Sequence, residues 1–241
     1  MDCLVTSREI IFVGCLAFLF LGLSLWMGQE KREGLPDQYH SPVLAMELVR
    51  TGAGIDTILG ALGSDERRRM SESVHKDFVY IFGYTLFFVA LSLLLSQVHF
   101  SWAKWIGWAA ILFSLLAAAF DFIEDARILK AVGLAPGIAD NSLALSIRHV
   151  SLAKWICLFI TLILLALILL FSERDWATLI GALLMLGGLL GLLGASLNSL
   201  GFIGRAFNWL LPASMLVGAL GAACISILFT FFSGKLLARF C

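Results

Sequence analysis

Charge is scarce in this sequence and favours neither sign. Seventeen Lys and Arg stand against seventeen Asp and Glu among 241 residues, a net charge of zero. The composition therefore offers neither a basic surface for a nucleic acid nor an acidic one for a basic partner, and nucleic-acid binding is not expected. Cysteine is also sparse: Cys3, Cys15, Cys157, Cys224 and Cys241 include no close pair, and three of them lie in apolar runs. That excludes a closely spaced thiolate metal motif and reads as free thiols packing like small apolar groups. The final Phe-Cys lacks the three residues that follow the cysteine of a prenylation box. Missing too are a Gly-rich phosphate loop followed by Lys-Ser/Thr, a nucleophile elbow, a Cys–His pairing and a helical pair of metal-binding histidines. No known enzyme motif or metal site is expected, and the cofactor, if any, is unknown.

What is abundant is apolar surface. Hydrophobic residues make up 60% of the chain and the mean hydropathy is +0.95, far outside the range of soluble domains. Six apolar segments stand out, at 10–27, 78–98, 105–123, 155–171, 176–203 and 207–232, each bounded by charge or turn residues. An all-α, multi-pass membrane bundle of six transmembrane helices is expected. The seven tryptophans, Trp26, Trp102, Trp105, Trp108, Trp155, Trp176 and Trp209, fall at or near segment ends, where headgroups lie. The first segment follows Arg8 like a signal peptide, but Trp26-Met27-Gly28-Gln29-Glu30 has no small-x-small cleavage pattern, so retention as the first span is expected. Twelve of the seventeen Lys and Arg fall in the loops after spans 1, 3 and 5. The positive-inside rule then places those loops in the cytoplasm and both termini outside, as in a bacterial inner membrane protein.

The first long loop, 29–77, has structure of its own. Ser41-Pro42 followed by 43–50 and Gly52 reads as an N-cap, a proline at the first helical position and a terminating glycine. Ile55, Ile58, Leu59 and Leu62 recur at helical spacing, as in a short helix on the membrane interface or on the bundle. Ser64 opens a helix with Asp65 and Glu66 in its first turn, continuous with the second span. Residues 34–39 are expected to be irregular, and Arg67-Arg68-Arg69 to be either a solvated face or a contact for anionic headgroups. After the third span, Asn141-Ser142 is a helix start that can run unbroken into the fourth.

The chain divides by character into a four-helix core, 1–171, and a Gly-rich transmembrane hairpin, 172–241. In the hairpin Gly187, Gly191 and Ala195, then Ser214, Gly218, Ala222 and Ser226, form small-residue stripes at spacing four. Such stripes let backbones approach closely, so the two helices are expected to pack on each other or on a membrane-protein partner. Ser101-Trp-Ala-Lys-Trp-Ile and Ser151-Leu-Ala-Lys-Trp-Ile share five of six residues. They are either halves of an inverted repeat or a lysine–tryptophan interfacial anchor that arose twice.

Chemistry is concentrated in Ala119-Phe-Asp-Phe-Ile-Glu-Asp-Ala-Arg127. About 16 uncharged residues, roughly 24 Å of helix, separate Lys104 from Asp121, less than a hydrocarbon core of about 30 Å. Asp121 is thus drawn toward the edge of the slab, where a short carboxylate cannot snorkel, and must face protein or water. Asp121, Glu124 and Asp125 share one helical face, as do Asp77, Tyr80 and Tyr84. The expected topology brings these to the same membrane edge as His75, Arg148, His149 and Lys154, with Lys154 neutralising Asp121 or Asp77. Such a cluster either fixes helix register or forms a ligand or catalytic pocket. A metal site built from His75, His149 and the carboxylates has no recognisable spacing.

Met46-Glu47-Leu48, Ile58-Leu59-Gly60, Asp77-Phe78 with Tyr84, Asp121-Phe-Ile-Glu-Asp125 and Lys154-Trp155 resemble a group of uncharacterised bacterial four-helix membrane proteins. Those carry an acidic-aromatic start to helix 2, an Asp-x-x-Glu-Asn end to helix 3 and a Lys-aromatic start to helix 4. The resemblance covers about 10–171, with Asp125 in place of the asparagine and two helices added, and singles out Asp77, Tyr84, Asp121, Glu124 and Lys154. It implies no established activity. The leading expectation is a membrane protein binding a lipid or hydrophobic small molecule, or an accessory subunit contacting a partner through its fifth and sixth helices. The alternatives are a lipid-acting membrane enzyme using Asp121 or Glu124 with Lys154, and a proton-coupled transporter, for which charges nearer the midplane are wanted.

Overall fold

The computed structural model describes residues 6–27, 42–60, 62–97, 101–135, 137–172, 175–199 and 204–231. Among these every regular element is a helix: α1 (Ser7–Met27), α2 (Pro42–Leu48), α3 (Gly52–Gly60), α4 (Ser64–Leu95), α5 (Ser101–Val132), α6 (Asn141–Leu170), α7 (Asp175–Ser199) and α8 (Gly204–Phe231). Five, α1, α4, α5, α6 and α7, are long and apolar enough to cross a membrane, while α8 contributes the shorter apolar stretch Val217–Phe231. The segment 34–39, Ser41, Cys3 and Cys241 lie outside the described residues.

Local chemistry accounts for the helix starts. The Glu9 amide bonds Thr6 Oγ1 at 3.3 Å while Glu9 Oε2 accepts from the Thr6 amide at 2.7 Å, a reciprocal box at the head of α1. Glu66 likewise accepts from the Gly63 amide at 3.1 Å ahead of α4. Asp140 caps α6 by accepting from the Leu143 amide at 2.7 Å and the Ser142 hydroxyl at 2.8 Å. These bonds, the amide first, hold the Asp140 carboxyl below its ordinary value of 3.8. A depressed carboxyl stabilises the fold above its unfolded value and loses that contribution as pH falls through the folded one. Asp140→Asn should therefore flatten the acid-side pH dependence of Leu143 amide exchange, which hydrogen-exchange mass spectrometry can read.

Gly52 differs from its expected role. It does not end the preceding helix, which stops at Leu48, but begins α3 behind a Thr51 cap whose hydroxyl accepts from the Gly54 amide at 3.1 Å. Its own amide donates to Asn141 Oδ1 at 2.8 Å, so the first loop is fastened to the start of α6.

The long helices form a closed ring in the order α1, α4, α5, α6, α7, α8, with α8 returning to α1. Its filling includes Ile81, Phe87, Phe88, Leu91, Phe159, Leu165 and Phe229. Outward residues such as Phe82, Leu112, Leu115, Leu189 and Ile227 are exposed and apolar, as a lipid-facing surface requires. A second, smaller core gathers Ala45, Met46, Val49, Ile55, Ile58, Leu59 and Leu62 of the first loop against Met70 and Val74 of α4, Ile128 and Ala131 of α5, and Ala144 and Ile147 of α6. At roughly 1.5–3 kcal/mol for each fully buried large aliphatic side chain, this core is enough to hold α2 and α3 as a cap on the ends of three long helices. Polar ties reinforce it. Gly137, at φ +82° in the turn before α6, donates its amide to Asp56 Oδ1 at 2.9 Å, and Arg67 reaches the Leu59 and Leu134 carbonyls at 3.1 and 3.4 Å.

Candidate functional site: a buried carboxylate–lysine centre

Lys154 lies on the inner face of α6, just before that helix becomes continuously apolar, and is only 4% exposed. Its Nζ is 2.7 Å from Glu124 Oε2, 3.1 Å from Asp121 Oδ1 and 3.3 Å from Glu47 Oε1. It also lies over the Trp155 ring at 4.8 Å. Asp121 uses its second oxygen to accept from Tyr84 OH at 3.0 Å, which joins α4 to the network. Glu47 Oε2 accepts from Trp155 Nε1 at 2.9 Å, so Glu47 is held at both oxygens.

The sequence-expected residues divide as follows. Asp121, Glu124 and Lys154 meet directly, with Tyr84 on Asp121. Asp77 takes a different place from the one offered by a lysine pairing: it joins Asp121 and Asp125, each of the three presenting a carboxylate oxygen within 4.8 Å of the others. Asp125 is 1% exposed, and its Oδ2 has no hydrogen-bond partner among the described residues. The histidines stand apart: His149 is exposed, and His75, also exposed, places its ring Nδ1 2.7 Å from the Ser71 carbonyl. Arg148 is buried and donates to the Leu48 carbonyl at 3.3 Å, a cation at the C-terminal end of α2.

Glu47 is the participant that pairing by membrane edge missed, since it sits 107 residues from Lys154 in sequence. One signal was present: it is the only ionisable residue in 42–49, an otherwise apolar stretch. A lone acid on a helix that buries nearly all its surface needs a cationic partner.

Among the described residues, Glu47, Asp121, Glu124 and Asp125 are all buried, and Asp77 half-buried, beside one buried lysine. Even counting Arg148, five acids face two bases. Isolated charges in a medium of low polarity are too costly to persist, so the excess has to be carried by protons or by a bound cation.

The small-residue positions in α7 and α8 are used inside the chain. A Cβ at Gly187 would meet the Ser214 carbonyl oxygen at 3.2 Å and the Gly218 amide nitrogen at 3.4 Å, so α7 and α8 are close there. Gly191 instead faces the Phe159 ring on α6, and Ala195 and Ala222 are buried. Comparison with family models, curated proteins and solved structures finds no match, so the resemblance to the four-helix proteins rests on its short motifs alone.

Proposed function

We propose that this chain is a six-span membrane protein of the ion-coupled carrier class, taking up protons or a small cation at its buried carboxylate–lysine centre. The observation that carries the reading is the excess of acids: Lys154 is shared by Glu47, Asp121 and Glu124, while Asp77 and Asp125 add two more carboxylates with no lysine ion pair among the described residues. A centre built only to set helix register needs equal and opposite charges, whereas an excess of one sign inside an apolar bundle is a place for an exchangeable positive charge. The α2–α3 cap supplies the coupling. Glu47 ties it to Lys154, and an incoming charge that competes with Lys154 for Asp121 and Glu124 alters how firmly that tie holds. On the positive-inside reading the cap faces the cytoplasm of a bacterial inner membrane, which makes this the loading side.

A lipid-acting enzyme draws less support, because its acid or base has to face substrate and Glu124 is 1% exposed and bound to Lys154. A partner protein would meet outward residues such as Leu186, Leu189 and Leu193, not the small-residue stripes that α6, α7 and α8 use among themselves.

The test is charge displacement in proteoliposomes on a solid-supported membrane. Wild type should give a transient current on a pH jump. Asp121→Asn should reduce it at least tenfold while keeping its elution profile and melting temperature. A wild-type protein that is electrically silent to pH and cation jumps alike removes this reading.

A further inference from the structure

We infer that Asp77, Asp121 and Asp125 form a binding site for a hard divalent cation, at the junction of α4 and α5 beside the Lys154 network. The inference deepens the reading above by naming the charge that the centre exchanges. The three carboxylates each offer one oxygen, and those oxygens lie within 4.8 Å of one another. In an octahedral or larger shell at about 2.4 Å from the ion, neighbouring ligand oxygens are about 3.4 Å apart and opposite ones about 4.8 Å. Three oxygens within that span can share one hard cation, calcium at about 2.3–2.6 Å or the smaller magnesium at about 2.0–2.1 Å.

A cluster of acids is common on protein surfaces and says little by itself. This one is not on the surface, and it contains a buried oxygen without a donor. Asp125 Oδ2 is fully enclosed and has no hydrogen-bond partner among the described residues, although Asp125 is 1% exposed. A buried carboxylate oxygen without a donor is a standing penalty unless a positive charge occupies the space before it. Asp121 bridges the two halves of the centre, since Oδ1 is on Lys154 and Oδ2 on Tyr84, and each carboxylate oxygen retains a second lone pair.

The charge count agrees. Five acids against Lys154 and Arg148 leave an excess of three negative charges among the described residues, which one divalent ion reduces more than any monovalent ion can. Asp77, half-buried where its two partners are closed off, is the most exposed of the three carboxylates. All-oxygen ligation by hard carboxylates selects calcium, manganese or magnesium over zinc or copper.

The experiment uses the full chain in detergent or nanodiscs, stripped with a chelator. Manganese serves as the spectroscopic probe in an electron paramagnetic resonance titration, and calcium and magnesium as competitors. One manganese ion per chain is expected, displaced by calcium or magnesium, together with a rise of several degrees in melting temperature on adding the ion that displaces it more effectively. Asp125→Asn and Asp77→Asn should each weaken manganese binding at least tenfold. Both exchange a carboxylate for an isosteric amide and relieve acid excess, so their folding should be intact, while exposed Glu72→Gln leaves binding unchanged. Absence of a saturable site in wild type, or a site that persists in Asp125→Asn, overturns the proposal. If manganese fails to bind while the pH-jump current remains, the excess acids hold protons: the cation site falls and the carrier reading stands. Loss of both removes both.

Discussion

Lys154→Met should destabilise the folded chain by about 3–5 kcal/mol, the range found when one partner of a buried ion pair is removed and the other is left uncompensated. The side chains are similar in length, so little packing volume changes. What changes is that Glu124, Asp121 and Glu47, at 2.7, 3.1 and 3.3 Å from the ammonium, lose their shared counter-charge at once. Trp155 Nε1 still donates to Glu47 and Tyr84 OH to Asp121, but neutral donors do not replace a full positive charge. Glu124→Gln should cost less, because Lys154 keeps two carboxylates and the acid excess falls by one. The double variant Lys154→Met/Glu124→Gln should recover part of the loss of Lys154→Met, and this non-additivity is the signature of direct coupling. Reversible unfolding in mixed detergent micelles measures all three. A Lys154→Met protein within about 1 kcal/mol of wild type would mean that the network does not hold the bundle together.

The second large effect is expected far from any charge. A Cβ on Gly52 would collide with the Ala139 carbonyl oxygen and come within 2.7 Å of the Ala139 carbonyl carbon and 2.8 Å of that of Asp140. These are backbone atoms in the turn leading into α6, so no rotamer change relieves the clash. The Gly52 amide must also keep its bond to Asn141. Gly52→Ala should therefore lift α3 off the turn and cost at least the roughly 1–3 kcal/mol typical of overpacking. Gly60→Ala is the control: nothing lies within 4 Å of the added methyl, and alanine favours a helix, so it should be neutral or slightly stabilising. Limited proteolysis distinguishes the two, with Gly52→Ala cut faster between 28 and 63. Because the cap carries Glu47, the same variant should also weaken the Lys154 network, and a cap that loosens without any change in that network would separate the two functions.

Helix positions were legible because an apolar run long enough to cross a bilayer is a strong one-dimensional signal. The joining of Ser64 to the second span and of Asn141 to the fourth was legible too, since no proline or glycine breaks 64–82 or 141–170. The common face of Asp121, Glu124 and Asp125 followed from spacing alone. Gly191 was harder. Its stripe suggested α8, and the structure turns it toward Phe159 of α6, because a helix in a closed ring has two neighbours and spacing-four periodicity does not say which one a small residue serves.

The two near-identical hexapeptides mark the limit most clearly. In one copy Lys104 is exposed and Trp105 is 75% exposed; in the other Lys154 and Trp155 are 4% and 8% exposed. The amino-acid order by itself determined that each opens an apolar helix, because helix formation and membrane partition depend on neighbours within a few turns. Only the tertiary structure decided that one lysine faces outward while the other is enclosed by Glu47, Asp121 and Glu124. Its burial is imposed by acids on two other helices, one of them 107 residues away, and no local pattern encodes which distant carboxylates the folded chain delivers.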